Sequence, residues 1–343
     1  MSGLPEAFAS RVVRWQKTHG RHALPWQATR DPYRVWLSEV MLQQTQVSTV
    51  LAYYERFLAR WPEVAALAAA PEDEVLGLWS GLGYYSRARN LHRCAQAVVE
   101  RFGGEFPRSA AQLATLPGIG RSTAAAIASF CFGERVAILD GNVKRVLTRV
   151  LGYGVDLASA PAERALWDLA TELLPRQDLQ DTMPAYTQGL MDLGATLCLP
   201  RKPACLLCPV EADCVGAREG EPTRYPVKTR KLRRTAESLW LLHARKPDGA
   251  VWLEKRPATG IWAGLYCLPV YASRELLAGE HAHATLEDGE AFVHALTHKD
   301  LHLHPVHVAT DRVARAGGGW FGRTEWEVLG LPAPVRRLLV DAG

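Results

Sequence analysis

The sequence lacks long apolar runs and has few cysteines, and both shortages limit what the protein can be. Its apolar stretches, such as LWLL at 239–242, fall far short of the ~18 residues that a membrane-spanning helix needs. Seven cysteines are too few and too unevenly spread for a disulfide framework. The N-terminus has no basic-then-apolar signal pattern. We therefore expect a cytoplasmic protein, provided that no import signal has been removed.

A strong charge of one sign is also lacking, because the formal net charge is only +4. Overall charge therefore favours a nucleic-acid partner only weakly. The segment TRYPVKTRKLRRT at 223–235, however, contains six basic residues and no acidic one. It is either a solvated linker or a linker that lies along a phosphate backbone, and the residues leave both interpretations open.

The pattern of apolar residues changes near residue 220, from one typical of helices to one typical of strands. Before it, apolar residues recur at three- and four-residue spacing in segments that end at Gly or Pro, which predicts helices. Asp31 and Pro32 are the expected N-cap and first residue of one helix. After it, ESLWLLHARKPDGAVWLEKRP predicts a hairpin around Pro-Asp-Gly. Further strands are expected at LYCLPV and LHLHPVHVA, and short helices at YASRELLAG and GEAFVHAL.

We therefore predict a multidomain protein. An all-α domain is expected at 1–217, a basic linker at 218–235 and a smaller α+β domain at 236–343. A chain of 343 residues is long for one compact core, which supports this division.

Four cysteines cluster late in the helical part, with the spacing C-x6-C-x2-C-x5-C: Cys198, Cys205, Cys208 and Cys214. Four thiolates within so short a segment can converge on one metal centre. A structural Zn²⁺ and a [4Fe–4S] cluster both take four cysteines, so the spacing by itself leaves both open. The other three lie in apolar stretches and are expected to be buried thiols: Cys94, Cys131 and Cys267.

A glycine-rich turn, LPGIG at 116–120, precedes a helical run that begins near Arg121. Gly118 and Gly120 permit a tight turn whose backbone N–H groups point outward together. Such a turn at a helix N-terminus suits a phosphate oxygen. A purely structural turn between two helices explains the same residues equally well.

Two carboxylates are candidates for chemistry. Asp140, in LDGNVKR, is expected at a helix N-terminus, where the partial positive charge would keep it ionised. Glu39, in WLSEVMLQQT, has apolar neighbours that would raise its pKa and suit it to general-acid catalysis. An ordinary N-cap aspartate and an exposed helix glutamate are the alternatives.

Taken together, these motifs resemble the endonuclease III superfamily of DNA glycosylases and, within it, the adenine DNA glycosylases of the MutY family. The cysteine spacing after a helix–hairpin–helix is typical of the superfamily. The narrower resemblance rests on "DGN" in place of "DTH", on Ser122 where lyase members have lysine, and on the C-terminal domain. It covers essentially the whole chain, through SEVMLQQTQV, GLGYYSRARNL, LPGIGRSTA and LDGNVKRVL.

The resemblance implies an all-α helix–hairpin–helix glycosylase domain with a cluster loop at 198–214, followed by a Nudix-like α+β domain. It implies a [4Fe–4S] cluster on the four cysteines, with Arg201 and Lys202 presented to DNA. Such hairpins often bind a monovalent cation through their carbonyls as well. The implied substrate is double-stranded DNA with adenine opposite 8-oxoguanine or G, bound by a monomer at the bacterial nucleoid.

The resemblance also implies residue roles. Glu39 would protonate N7 of an extruded adenine, Asp140 would stabilise an oxocarbenium-like sugar, and Asn142 would orient water or Glu39. Because Ser122 has no amine for a Schiff base, base release without strand cleavage is expected. The residues implied for DNA or lesion binding are Leu42, Gln43, Gln44, Thr45, Tyr84, Gly118, Gly120, Ser122, Gln188, Thr297 and His298.

In the C-terminal part, VWLEKRPATGIWAGLYCLP at 251–269 resembles the Nudix-like domain of MutY proteins. It lacks the Glu-rich helix that a Nudix hydrolase needs, so no phosphohydrolase activity is expected. The family reads 8-oxoguanine through a Phe-Ser-His segment, which corresponds here to Leu296, Thr297 and His298. A strand entry with an incidental histidine is the alternative.

Two other functions remain open at this point. One is an endonuclease III-like glycosylase and lyase acting on oxidised pyrimidines, which the missing lysine at position 122 opposes. The other is a non-catalytic DNA-binding protein with an Fe–S centre. It would be favoured if Glu39 and Asp140 were dispensable for base release.

Overall fold

The structure, a computed structural model, describes residues 4–229, 234–313 and 315–341. These residues pack as two compact units. The first takes in the described residues of Met1–Ala68 and Arg93–Lys231, and the second those of Ala69–His92 and Leu232–Gly343. Within the basic segment expected at 218–235, residues 230–233 lie outside the described ones. A search of the described helices finds none that is long and apolar enough to cross a membrane.

The part of the chain before residue 219 is helical, as its periodicity predicts. Its helices are α1 Leu4–His19, α2 Pro32–Met41, α3 Val47–Arg60, α4 Val64–Ala69, α5 Glu72–Leu78, α6 Ser86–Phe102, α7 Ala110–Leu113, α8 Arg121–Phe132, α9 Gly141–Leu151, α10 Ala160–Glu172, α11 Leu179–Thr196 and α12 Val215–Arg218.

Local capping sets the start of the two helices that carry the candidate carboxylates. Asp31 caps α2 by accepting a 2.9 Å hydrogen bond from the Tyr33 amide, and Pro32 occupies its first turn. Asp140 caps α9 by accepting a 2.7 Å bond from the Val143 amide. Both caps confirm the predicted helix starts. They place Glu39 within α2 and Asp140 at the N-terminal end of α9.

The core of the first unit forms where α1, α8, α9, α10 and α11 meet. Phe8, Val12, Val146, Leu166 and Leu190 are all buried there. Fully burying an aliphatic or aromatic side chain of this size contributes about 1.5–3 kcal/mol. This core holds the N-terminus of α9 beside α11, and it therefore supports the end of the helix at which Asp140 lies.

The predicted hairpin connects α7 and α8. Gly118 has φ +74°, a left-handed conformation that favours glycine, and Gly120 is the N-cap residue of α8. Between them Ile119 is buried, and its amide donates to the Leu116 carbonyl at 3.2 Å. The turn is therefore anchored by Ile119.

The second unit contains a mixed sheet. Its strands are β1 Thr235–Arg245, β2 Val251–Lys255, β3 Tyr266–Cys267, β4 Val270–Tyr271, β5 Glu287–Asp288, β6 Phe292–Ala295, β7 Lys299–Ala309 and β8 Gly318–Phe321. Their order is β3-β2-β1-β7-β5, with β1 parallel to β7 and Leu239 paired with Leu303. The predicted hairpin is confirmed, because β1 and β2 pair antiparallel with Arg245 opposite Val251.

The helix expected in GEAFVHAL at 289–296 is wrong. The structure has β6 there, paired antiparallel with β7 so that Phe292 lies opposite Leu303. Along β6 half-buried and exposed residues alternate, which is the period of a strand and not of a helix. The other helices are α13 Arg274–Glu280, α14 Arg323–Trp326 and α15 Ala333–Asp341.

Residues 69–92 pack with the C-terminal part of the chain and complete the second unit. The Tyr85 hydroxyl donates to the Leu331 carbonyl at 2.8 Å, and the Arg89 guanidinium donates to the Ala263 carbonyl at 2.5 Å. Tyr84 lies in the same segment, so it belongs to the same unit as Thr297.

Candidate active site

One cavity in the first unit, of about 1180 Å³, collects most of the predicted site residues. We call it the base cavity. Those lining it are Glu39, Leu42, Gln43, Gln44, Thr45, Ser122, Asp140, Asn142 and Gln188. Gly118, Gly120 and the four clustered cysteines do not line it, and Tyr84, Thr297 and His298 lie in the second unit.

Two opposing effects act on the pKa of Asp140. Burial raises the pKa of Asp140, whereas the Val143 and Asn142 amides and the charges of Arg145 and Lys144 lower it. Burial is the larger effect, so the net shift is upward. The helix N-terminus opposes protonation, as the sequence indicates, but it does not decide the direction of the shift.

Glu39 is half-buried in the wall of the base cavity. Burial raises the pKa of Glu39 to about 8, and the nearby charge of Asp140 adds to the increase. This agrees with the expectation from its apolar neighbours. Because Glu39 titrates in the field of an already ionised Asp140, Asp140 loses its proton first. Once Asp140 has ionised and while Glu39 is still protonated, the cavity holds one protonated carboxyl group and one carboxylate, the arrangement required for acid catalysis with charge stabilisation.

Asn142 is held in place by an arginine that the sequence analysis missed. Arg145 donates to the Asn142 side-chain oxygen and to the Gly194 carbonyl, each at 2.7 Å. It also donates to the Cys198 carbonyl at 2.7 Å. Its position one turn after Asn142, in DGNVKR, is the only sequence signal for this role.

Ser122 acts within the protein as well as lining the base cavity. Its hydroxyl accepts a 2.9 Å hydrogen bond from the Leu139 amide, immediately before Asp140. The hydroxyl therefore ties the start of α8 to the segment that carries Asp140. The predicted DNA contact of Ser122 stays a prediction.

Several of the residues predicted to bind DNA lie just after α2. Gln44 is exposed and has φ +57°, and Tyr84, in the second unit, is 46% exposed with φ +50°. Such backbone conformations cost energy in residues with a Cβ and are concentrated at functional sites. Leu42 is half-buried at the C-cap of α2, and Gln43 Nε2 lies 3.4 Å from the Thr123 hydroxyl.

In the second unit, the predicted lesion-reading residues form the turn between β6 and β7. The Thr297 hydroxyl lies 3.0 Å from the Tyr84 hydroxyl. Leu296, which replaces the usual aromatic residue, packs against the apolar core, and its amide donates to the Lys299 carbonyl at 2.8 Å. His298 is exposed. The side chain at position 296 therefore serves packing in this structure.

The four clustered cysteines line a separate, mostly apolar cavity with Val146, Leu193 and Val210. The Arg149 guanidinium lies 3.3 Å from the Cys198 sulfur, and burial raises the pKa of the Cys208 thiol to about 12. Four thiols around one cavity fit the donor set of a four-cysteine centre. Nowhere in the described ranges do three His, Cys, Asp or Glu side chains form a group placed to hold a metal ion.

The three remaining cysteines are buried thiols, as predicted: Cys94, Cys131 and Cys267. In the cluster loop, Arg201 is exposed and Lys202 has φ +49°.

Two regions of the chain match known families. Residues 37–172 match the HhH-GPD superfamily of base excision DNA repair proteins, and residues 240–341 match the NUDIX domain. A solved thermostable thymine-DNA glycosylase is 30% identical with a TM-score of 0.54, covering 62% of this chain and 95% of that one. An endonuclease III–DNA complex, at 20% identity and TM-score 0.50, covers 62% of this chain and 94% of that one and shows the shared fold. The fold and cavity define a DNA glycosylase of the helix–hairpin–helix class.

Similar proteins indicate which kind of DNA glycosylase this chain is. An adenine DNA glycosylase of Buchnera aphidicola subsp. Baizongia pistaciae is 34% identical over 97% of this chain and 95% of its own. The human adenine DNA glycosylase is 46% identical over 61% of this chain and 39% of its own. The chain belongs to the adenine DNA glycosylase family. It is an enzyme of base excision repair, and DNA is its partner.

Proposed function

We propose that the enzyme is a monofunctional glycosylase that hydrolyses the N-glycosidic bond of adenine opposite 8-oxoguanine or G. The observation that carries this proposal is the pairing of Glu39 with Asp140 in one cavity, where Glu39 retains its proton after Asp140 has ionised. The names of the full-length relatives supply the identity of the base.

The chemistry begins once adenine has left the base stack, at a cost of a few kcal/mol. Glu39 donates its proton to N7, and the N9–C1′ bond breaks with its electron pair moving to the base. The Asp140 carboxylate stabilises the positive charge that develops on the sugar. Water then adds to C1′ and gives its proton to the Glu39 carboxylate, which restores the acid. Asn142, fixed by Arg145, orients the water or Glu39.

Strand cleavage is not part of this reaction. A lyase needs an amine that attacks C1′. Ser122 instead offers a hydroxyl, whose oxygen already accepts a hydrogen bond from the Leu139 amide. The endonuclease III-like lyase and the non-catalytic DNA-binding protein become outcomes of the experiment below.

A cofactor also belongs to the proposal. Cys198, Cys205, Cys208 and Cys214 would hold a [4Fe–4S] cluster, because four thiols surround one cavity in a family with this cysteine spacing. When bound, the cluster would cross-link the 198–214 loop. A monovalent cation at the carbonyls of the 116–120 hairpin is part of the same proposal.

Recognition of the base opposite adenine is assigned to the second unit. Thr297 and Tyr84 place two hydroxyls 3.0 Å apart, beside the exposed His298. We retain the domain division at 1–217, 218–235 and 236–343, a monomeric state, and a location at the nucleoid in the cytoplasm, consistent with a DNA substrate.

The test is single-turnover cleavage of a duplex with one adenine opposite 8-oxoguanine, developed with and without hot alkali. Asp140→Asn is compared with wild type and with Asp168→Asn, a control at an exposed aspartate on α10. Strand breaks only after alkali, lost in Asp140→Asn and kept in the control, support the proposal. Breaks without alkali indicate a lyase, and tight binding without product indicates a non-catalytic protein.

A further inference from the structure

The connection between α5 and α6 contains Tyr84 in an unusual backbone conformation. We call residues 80–84 the Tyr84 loop. Gly81, Gly83 and Tyr84 all have positive φ, at +104°, +73° and +50°. Glycine adopts such conformations readily, whereas a tyrosine does so only where its surroundings hold it. The residues that hold the loop therefore decide how the exposed Tyr84 ring is presented.

The end of the loop that carries Tyr84 is held by its neighbours in the sequence. The Trp79 indole N–H donates to the Gly83 carbonyl at 3.0 Å. The Arg87 guanidinium donates to the same carbonyl at 3.2 Å and to the Leu82 carbonyl at 3.3 Å. It also lies 5.5 Å from the centre of the Tyr84 ring. Because all these partners are close in the sequence, they set the shape of the loop but not its place in the second unit.

The start of the loop is held by the C-terminal part of the chain. Arg336, on α15, donates from Nε to the Ser80 hydroxyl at 3.2 Å. Its two terminal nitrogens donate to the Glu327 carbonyl at 3.1 Å and to the Leu329 carbonyl at 2.8 Å. One planar guanidinium thus joins the Tyr84 loop to the backbone at 327–329, with donors that point in fixed directions.

The same C-terminal backbone packs closely against α5, the helix that precedes the loop. A Cβ atom added to Gly77 would clash with the Val328 carbonyl oxygen, and one added to Gly330 would lie 2.9 Å from Leu76 Cβ. Neither glycine could carry a side chain unless the two segments moved apart. Residues 327–330 therefore lie directly against α5, and Arg336 connects them to the residue at which the Tyr84 loop begins.

We propose that Arg336 is a positioning residue for Tyr84. By holding Ser80 against the 327–329 backbone, it keeps the Tyr84 ring beside Thr297, where the two hydroxyls are 3.0 Å apart. This proposal rests on the proposed function, in which Tyr84 and Thr297 belong to the surface that recognises the base opposite adenine. When Arg336 no longer holds the loop, the ring loses this place and the preference for 8-oxoguanine over G falls.

The test measures single-turnover adenine release from two duplexes, one with adenine opposite 8-oxoguanine and one with adenine opposite G. The ratio of the two rates reports recognition of the opposite base. The proteins are wild type, Arg336→Lys, Ser80→Ala, Tyr84→Ala and the double variant that combines Arg336→Lys with Tyr84→Ala. Arg337→Lys is the matched control, because Arg337 is the exposed neighbour on α15 and its guanidinium lies over the Phe292 ring.

Arg336→Lys and Ser80→Ala should each lower the rate ratio about tenfold relative to wild type, the effect of one lost hydrogen bond to a charged group. A lysine keeps the charge but cannot donate in the same three directions. Tyr84→Ala should lower the ratio at least as far. Adding Arg336→Lys to Tyr84→Ala should cause no further loss, because Arg336 acts through the Tyr84 ring. Arg337→Lys should match wild type.

An equal loss of rate on both duplexes in Arg336→Lys and Ser80→Ala, with the ratio unchanged, would overturn the proposal, because it would mean that Arg336 only stabilises the fold. Losses that add in the double variant, or an unchanged ratio in Tyr84→Ala, would overturn it as well. Equal wild-type rates on the two duplexes would also do so.

Thermal unfolding is measured in parallel. If Arg336→Lys does not fold, Ser80→Ala decides the question for the same contact. Wild-type protein that releases no adenine from either duplex would overturn the proposed function instead.

Discussion

The amide of Leu139 donates a 2.9 Å hydrogen bond to the hydroxyl of Ser122, 17 residues earlier in the chain. Leu139 is buried, so its amide cannot be satisfied by bulk water. The bond joins the first turn of α8, just after the 116–120 hairpin, to the residue that precedes Asp140. Ser122 thereby links the turn that is suited to bind a phosphate oxygen to the proposed catalytic carboxylate.

Ser122→Ala should therefore lower the stability of the protein. Removing the acceptor leaves the Leu139 amide unpaired, which costs about 1–3 kcal/mol. Urea unfolding measures this loss, and a parallel single-turnover assay should show slower base release. Ser122→Thr keeps the hydroxyl and serves as the matched control. Unchanged stability in Ser122→Ala would show that the bond is unimportant.

The rate of base release should fall as the pH rises through about 8. Glu39 acts as an acid only while protonated, and burial together with the charge of Asp140 raises its pKa to about 8. Single-turnover rates between about pH 6 and 10 measure this dependence. A profile that stays flat through this range would contradict the assignment of Glu39 as the acid.

The same shift predicts how stability changes with pH. Between the ordinary pKa of 4.5 and the folded value of about 8, the folded state binds more protons at Glu39 than the unfolded state does. Glu39 therefore makes stability decrease as the pH rises through this window, and the loss is complete above it. Glu39→Gln should be more stable than wild type at about pH 9, by roughly 4–5 kcal/mol, and the difference should shrink toward about pH 5.

Arg145→Lys should impair both Asn142 and the cysteine loop. A lysine ammonium cannot reproduce the separate directions in which Arg145 donates to Asn142, Gly194 and Cys198. We expect at least about a tenfold lower single-turnover rate and a loss of about 2 kcal/mol in stability. Arg164→Lys, at an exposed arginine on α10, is the control. If Arg145→Lys and Arg164→Lys have the same rate and the same stability, Arg145 does not position Asn142.

Purified protein should contain iron and sulfide and should absorb visible light near ~400 nm. Cys205→Ser should lower both the absorbance and the folded yield, because one of four ligands is lost. Cys267→Ser, at a buried cysteine of the second unit, should keep the absorbance. If the wild-type protein contains zinc and no iron, the four cysteines bind a structural zinc ion and the proposed cluster is wrong.

Local structure followed from the sequence because the forces that produce it act over a few residues. Asp31 and Asp140 were recognisable as N-caps, and the Pro-Asp-Gly turn predicted the β1–β2 hairpin. The helical period held throughout the first unit. The error at β6 arose because a short amphipathic segment suits either period, and its pairing with β7 decided the outcome.

The chemistry of the base cavity depends on contacts between residues that are distant in the chain. Neighbouring residues indicated a raised pKa for Glu39, but only the fold places Asp140 close enough to raise it further. A helix N-terminus predicts an easily ionised Asp140, yet burial, which requires the whole core, reverses the direction of the shift. The Gln188 side chain likewise donates to Asp192, and Asp192 also pairs with Arg21, a residue distant from both in the sequence. The sequence by itself thus determined the helices, their caps and the family motifs, whereas burial and long-range charge, which exist only after folding, decided protonation and hydrogen-bond direction.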